Sequence, residues 1–199
     1  MTPEQKKYRD RANRAVRGLR AEKSTYGYIN DGTGRRYRAG IYFLLAGDVP
    51  KSNDFYDWYR EEFPEDIGEP ASNLYAALAA KRSGRTLEAN QRLYETLLSN
   101  IFLLPFLSGQ PAIDVSEVWH PSNRHQSEYL LEIEEFLNEP SDEERRWIEF
   151  QLSTPNFKKA LAGYIAAFRE LKGEQDISKR ITILRNWDKT VLENYPREG

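Results

Sequence analysis

The sequence contains no cysteine. That removes disulfides, thiolate metal sites and a cysteine nucleophile together, and it fits a reducing, cytoplasmic setting. Long hydrophobic runs are missing as well. The longest, Ile101–Leu107, is far shorter than the roughly 20 apolar residues a membrane-spanning helix needs. The start, Met1-Thr2-Pro3-Glu4-Gln5-Lys6-Lys7, leads into charge and not into the apolar stretch of a secretory leader. The chain therefore reads as soluble, with no membrane partner. Nor is charge of one sign in excess: 29 Lys and Arg face 31 Asp and Glu, a net charge of −2. The chain as a whole has no electrostatic attraction for nucleic acid.

What is present is a globular composition. The 199 residues suffice for one domain with a real core. Hydrophobic residues make up 39%, charged residues 30%, and mean hydropathy is −0.76. Against disorder stand 4 Trp, 12 Tyr and 9 Phe, each with a large surface to bury.

Helical periodicity dominates, and no segment alternates with the period of a strand. Ser153-Thr154-Pro155 reads as a helix start, followed by Phe157, Leu161, Tyr164, Ile165, Phe168 and Leu171 on one face and stopped at Gly173. Ser141 and Glu144 form a capping box opening a helix that turns Trp147, Ile148 and Leu152 inward. Tyr129, Leu130, Ile133, Phe136 and Leu137 predict another helix. The last one carries Ile177, Ile181, Leu184, Trp187, Val191 and Tyr195 as its stripe. Ser108–Asn123, with Pro111, Trp119 and Pro121, lacks a pattern. Such a loop in a small domain is a functional or packed excursion.

Two helix–turn–helix units align by the offset that separates Gly47 from Gly84. The first runs from Arg35 to Ala46, then Ser52 to Phe63 before Pro64; the second from Ser72 to Ser83, then Leu87 to Ser99. One such unit cannot bury its apolar face alone, and stacking solves that. In the first unit Gly40, Phe43, Gly47, Ser52, Tyr56 and Pro64 resemble the tetratricopeptide repeat pattern of small, aromatic and breaking positions. Ala77, Ala80, Gly84, Ala89 and Leu93 fit it in the second, with Ile101 where proline is expected. The offset also exceeds the family's period of about 34 residues. Tyr75 to Leu104 followed by Ser127-Glu128-Tyr129 and Trp147 also looks like bacterial repeat proteins related to the suppressor-of-tumorigenicity family.

The resemblance covers about residues 33–107. It implies an all-α fold of stacked antiparallel helix hairpins, irregular and tetratricopeptide-like, with about 8–10 helices in a compact right-handed array. The expected layout is a single domain: a basic N-terminal helix (1–24), the helix pairs (33–107), a long loop (108–124) and C-terminal helices (125–196). The resemblance also implies a non-enzymatic scaffold that takes a peptide or protein partner in a groove lined by the first helix of each pair. Those positions are Tyr37, Ile41, Leu44, Leu74, Leu78 and Lys81, with Trp119 in the loop as a further contact. The lining is apolar for open solvent, so either a partner or the chain's own helices fill it.

The charged residues offer other candidate chemistry. The helix from Pro3 to Lys23 is strongly basic, and Arg11, Arg14, Arg17, Arg35, Arg36 and Arg38 form a candidate patch for phosphates, the basis of a nucleic-acid-binding alternative. A solvated outer helix whose arginine stems cover apolar surface explains the same residues. His120 and His125 allow a less favoured enzymatic reading, and His125, Glu128 and Glu132 share a helical face. No metal motif, nucleophile elbow or phosphate loop accompanies them: Gly32-Thr33-Gly34-Arg35-Arg36 lacks the lysine and serine ending. The residues point to no cofactor, no metal and no catalytic set. Of the dense aromatics, Trp58 and Tyr59 lie on neighbouring faces, so one of them should face outward or against another element.

Overall fold

The computed structural model describes residues 1–111, 113 and 118–197. Among them the chain is all-α, with eleven α-helices, no strand, and no helix long and apolar enough to cross a membrane. The chain gathers into two compact units, Met1–Arg92 and Leu93–Gly199.

The first unit holds α1 (Pro3–Tyr26), α2 (Arg35–Leu45), α3 (Val49–Glu62), α4 (Pro70–Arg82) and the start of α5 (Thr86–Ser99). Thr2 and Gln5 close a capping box on α1, and Gly27, in the left-handed region at φ 77°, ends it. Ala12, Ala15 and Leu19 are its buried face. Two of the three are alanines, so α2 can lie close against them. At the centre, α2 packs against α1, α3 and α4. Its close approach to α3 has a simple cause. Gly40 has no side chain, so the Tyr56 ring lies over its backbone, and the Ser52 hydroxyl donates to the Gly40 carbonyl at 2.9 Å. Every residue of α4 from Pro70 to Ala80 is buried, which its alanines permit at small volume.

The second unit holds the rest of α5, then α6 (Leu103–Leu107), a 3-10 turn (Asn123–His125), α7 (Tyr129–Glu132), α8 (Glu134–Leu137), α9 (Asp142–Ser153), α10 (Pro155–Gly173) and α11 (Ile177–Asn194). Ile101, Val118, Tyr164, Phe168, Leu171, Ile183 and Trp187 form one cluster of its core. Ser141 and Glu144 make the expected capping box, and Pro155 stands in the first turn of α10.

Two sequence expectations are corrected, and one helix comes in addition. The helix predicted over 129–137 is two short helices, because Ile133 leaves helical geometry at ψ 15°. The apolar run at 103–107 is itself a helix, capped by the buried Asn100, whose Oδ1 accepts from the amides of Phe102 and Leu103. These two differences raise the count above the expected range. On α11, Trp187 is buried together with Ile183, whereas Ile177, Ile181 and Leu184 are exposed. The loop 108–124 falls partly outside the described residues.

Candidate functional site

The predicted groove is closed by the protein itself. Ile41, Leu44, Leu74 and Leu78 are each 1% exposed or less, so they offer no surface to a partner. Three helices enclose α2, and α4 packs on both α2 and α3, which an apolar stripe cannot reveal. Tyr37 is half-buried and held by its hydroxyl, which lies 3.0 Å from Asp66 Oδ2 and accepts from Arg36. Lys81 is half-buried on α4.

Nor do the candidate arginines form one patch. Arg35 crosses to α1, where it meets Glu22 at 2.7 Å and packs on Gly18. Arg36 pairs with Asp66 at 2.8 Å and lies over the rings of Tyr37 and Phe63. Arg11 lies beside the stacked rings of Tyr8 and Tyr42, 5.9 and 5.7 Å from their centres. Arg14, Arg17 and Arg38 are exposed and have no partner among the described residues.

In the second unit, Trp119 is a tether. Its amide donates to the Phe168 carbonyl at 3.0 Å, its ring stacks on Phe168, and Arg180 lies 5.3 Å above it. His120 packs beside Phe102, and the Ser122 hydroxyl lies 2.8 Å from His125 Nδ1. Burial pushes the pKa of both histidines below the ordinary value; for His125 the charges of His120 and Arg124 add to this. No three His, Asp or Glu gather as metal ligands among the described residues.

Sequence reasoning missed a site on the other flank of α2. There α1 and α3 run parallel, both packed on α2 and not closely on each other. Their ends are pinned. Arg9 of α1 reaches Asp48 at the start of α3 at 3.5 Å, and Lys23 pairs with Glu62 at its end. Between those pairs, over about 21 Å of helix, lies a cleft of about 310 Å³ lined by Asn13, Val16, Arg20, Phe43, Lys51, Asp54, Phe55 and Trp58. Phe43 and Phe55 are buried at 5% exposure, and Trp58 is half-buried, tilted against Phe55 at 5.4 Å. Tyr59 turns into the core and leaves Trp58 to the cleft, as neighbouring helix faces require.

The rim is polar and uncommitted. Asn13, Arg20 and Asp54 have no partner among the described residues. Lys51 sits 3.6 Å from Asp48, with its ammonium 6.0 Å from the Phe43 ring centre. The signal was present in the sequence, since Arg9, Asn13, Val16 and Arg20 recur at four- and three-residue steps along one ridge of α1. What it lacked was the aromatic floor, which comes from two other helices.

A larger cleft of about 490 Å³ lies between α10 and α11, over Ile183 and Trp187. Its walls are largely small side chains, among them Gly163, Ala166 and Ala167, and Trp187 is the one aromatic residue of its lining, where the first cleft gathers Phe43, Phe55 and Trp58 around the place for an anchoring side chain. Compared with protein-family models, with curated proteins and with solved structures, the chain matches none.

Proposed function

We propose that this chain is an interaction module of helical-repeat type that takes a peptide or protein segment in the cleft between α1 and α3. One observation carries this reading: an aromatic-floored cleft whose rim groups Asn13, Arg20 and Asp54 are left without partners among the described residues. Its residues supply apolar area and hydrogen-bonding capacity, the two ingredients of an anchoring pocket. The tetratricopeptide-like stacking of the helices within Arg35–Ser99 belongs to the same proposal. It is supported by the contact of Gly40 with Tyr56 and Ser52. The groove moves from the face of α2 given by the resemblance to the flank between α1 and α3.

The test is a display selection of random dodecapeptides on the immobilised full chain, with Val16→Trp as the blocked control. Val16 is half-buried on the cleft wall, so an indole there fills the space without entering the core. Peptides that bind the wild type and not the blocked variant support the reading. Peptides that bind both equally place the surface elsewhere.

A further inference from the structure

We infer that the segment this cleft recognises is acidic: one bulky apolar side chain enters between Val16, Phe43, Phe55 and Trp58, and an Asp or Glu carboxylate beside it meets Arg20. This rests on the cleft being the binding surface. It adds the chemistry of the ligand.

The charges around the cleft carry the argument. Arg20 is exposed at the rim and pairs with no carboxylate among the described residues. Its neighbours along α1, Arg17 and Arg14, are exposed as well and likewise have no partner among the described residues. The three recur every third residue, each step about 4.5 Å along the axis. Across the cleft Lys51 adds a further cation, held only loosely by Asp48. Asp54 is the one carboxylate of the lining, and it has no partner among the described residues. The lining and this ridge together therefore carry an excess of positive charge, although the chain as a whole is slightly negative.

The salt bridges of the same helix sharpen the contrast. Arg9 and Lys23, which close the two ends of the cleft, both have carboxylate partners on the far side. Arg20, lying between them along the same helix, has none among the described residues. A ligand carboxylate there gains a charge-assisted hydrogen bond next to an apolar wall that thins the surrounding water. The outer arginines add long-range attraction, which raises the association rate more than the affinity. A basic or neutral segment finds only Asp54 in its favour and meets repulsion or indifference from the rest.

The experiment is the same dodecapeptide selection on the full chain, run in parallel on wild type and Arg20→Glu, with Trp58→Ala and the milder Trp58→Phe as floor variants. Far-ultraviolet circular dichroism checks the fold of each. The selected wild-type peptides are expected to carry an aromatic or branched aliphatic residue with Asp or Glu nearby. Arg20→Glu should weaken the best of them at least tenfold and should itself select peptides without the acidic bias. Raising NaCl from about 50 to about 500 mM should weaken the wild-type complex severalfold and the Arg20→Glu complex little.

Peptides that depend on Trp58 but are neutral or basic overturn the inference and leave the cleft reading standing. So does an acidic peptide whose affinity changes less than twofold in Arg20→Glu. If no peptide depends on Trp58 or is blocked by Val16→Trp, reading and inference fall together. A fluorescent dT20 oligonucleotide is titrated alongside. Binding tighter than any peptide, lost in Arg20→Glu, would replace the peptide with nucleic acid and overturn both.

Discussion

The ring of Tyr56 occupies the place where Gly40 would carry a side chain. A Cβ built on Gly40 would lie 2.6 Å from Cε2 and 2.8 Å from Cε1 of that ring, closer than real contacts allow. Tyr56 is itself buried, so its ring has little room to retreat. Gly40→Ala should therefore destabilise the protein by about 1–3 kcal/mol through overpacking, even though alanine favours a helix by up to about 1 kcal/mol over glycine. Chemical denaturation of Gly40→Ala measures the cost. In the double variant with Tyr56→Ala the cost of the second change should shrink, since both act on one contact.

Arg145 is the next most informative side chain. It donates to three backbone carbonyls, those of Pro140 (3.1 Å), Leu107 (3.0 Å) and Leu137 (2.7 Å). It thereby satisfies the open ends of α6 and α8 from the first turn of α9. Arg145→Ala should cost about 2–3 kcal/mol, because charged hydrogen bonds are among the stronger ones. Arg145→Lys should recover a minor part, since an ammonium lacks the planar fork that reaches several acceptors. A lysine variant as stable as wild type would refute this role.

Two buried tyrosines should respond to the same change with opposite signs. The Tyr164 hydroxyl is buried and has no hydrogen-bond partner among the described residues. Tyr164→Phe removes an uncompensated polar atom and should be neutral or stabilising by about 1 kcal/mol. Tyr94 instead donates to the Val191 carbonyl at 3.1 Å. Tyr94→Phe should cost about 1 kcal/mol. Denaturant midpoints for the pair decide the matter, and equal effects would contradict it.

Burial also sets how the tyrosines ionise. It raises the phenols of Tyr56, Tyr59 and Tyr164 well above their ordinary value, with the negative charge of Asp66 adding to the effect at Tyr59. Burial pushes Tyr94 up to about 12. The folded state thus binds these protons more tightly than the unfolded chain, which releases them from about pH 10. Stability should be unaffected below that point and should fall as pH rises from about 10 toward 12. Absorbance at 295 nm should show four tyrosines silent in the folded protein near pH 11 and ionised once it is denatured. Full titration of all tyrosines before unfolding would contradict this.

Local signals in the sequence translated well into structure. The capping box of Ser141 and Glu144, the proline opening α10 and the small residue at Gly40 each act through neighbours a few residues away or through one helix contact. Signals that depend on third parties did not. Ile41, Leu44, Leu74 and Leu78 form an apolar lining in sequence, yet nothing in a periodic stripe says how many helices will cover it. Asp31 shows the same limit. It sits at φ 44°, where few side chains go, and its carboxylate accepts at 2.8 Å from the amides of both Arg35 and Arg36, capping α2 from beyond its first residue. The cleft needed Val16, Phe43 and Trp58 to meet from three helices, and only Trp58 was visible as a residue with an uncommitted face.

Hydrogen–deuterium exchange of the full chain with a selected peptide tests the account most directly. It predicts slowed exchange at the cleft-lining stretches of α1, around Asn13 to Arg20, and of α3, around Lys51 to Trp58. Exchange at α10 and α11 should stay unchanged. Slowing confined to Gly163–Thr190, with α1 and α3 exchanging as in the free protein, would contradict the assignment and move the binding surface to the cleft over Trp187.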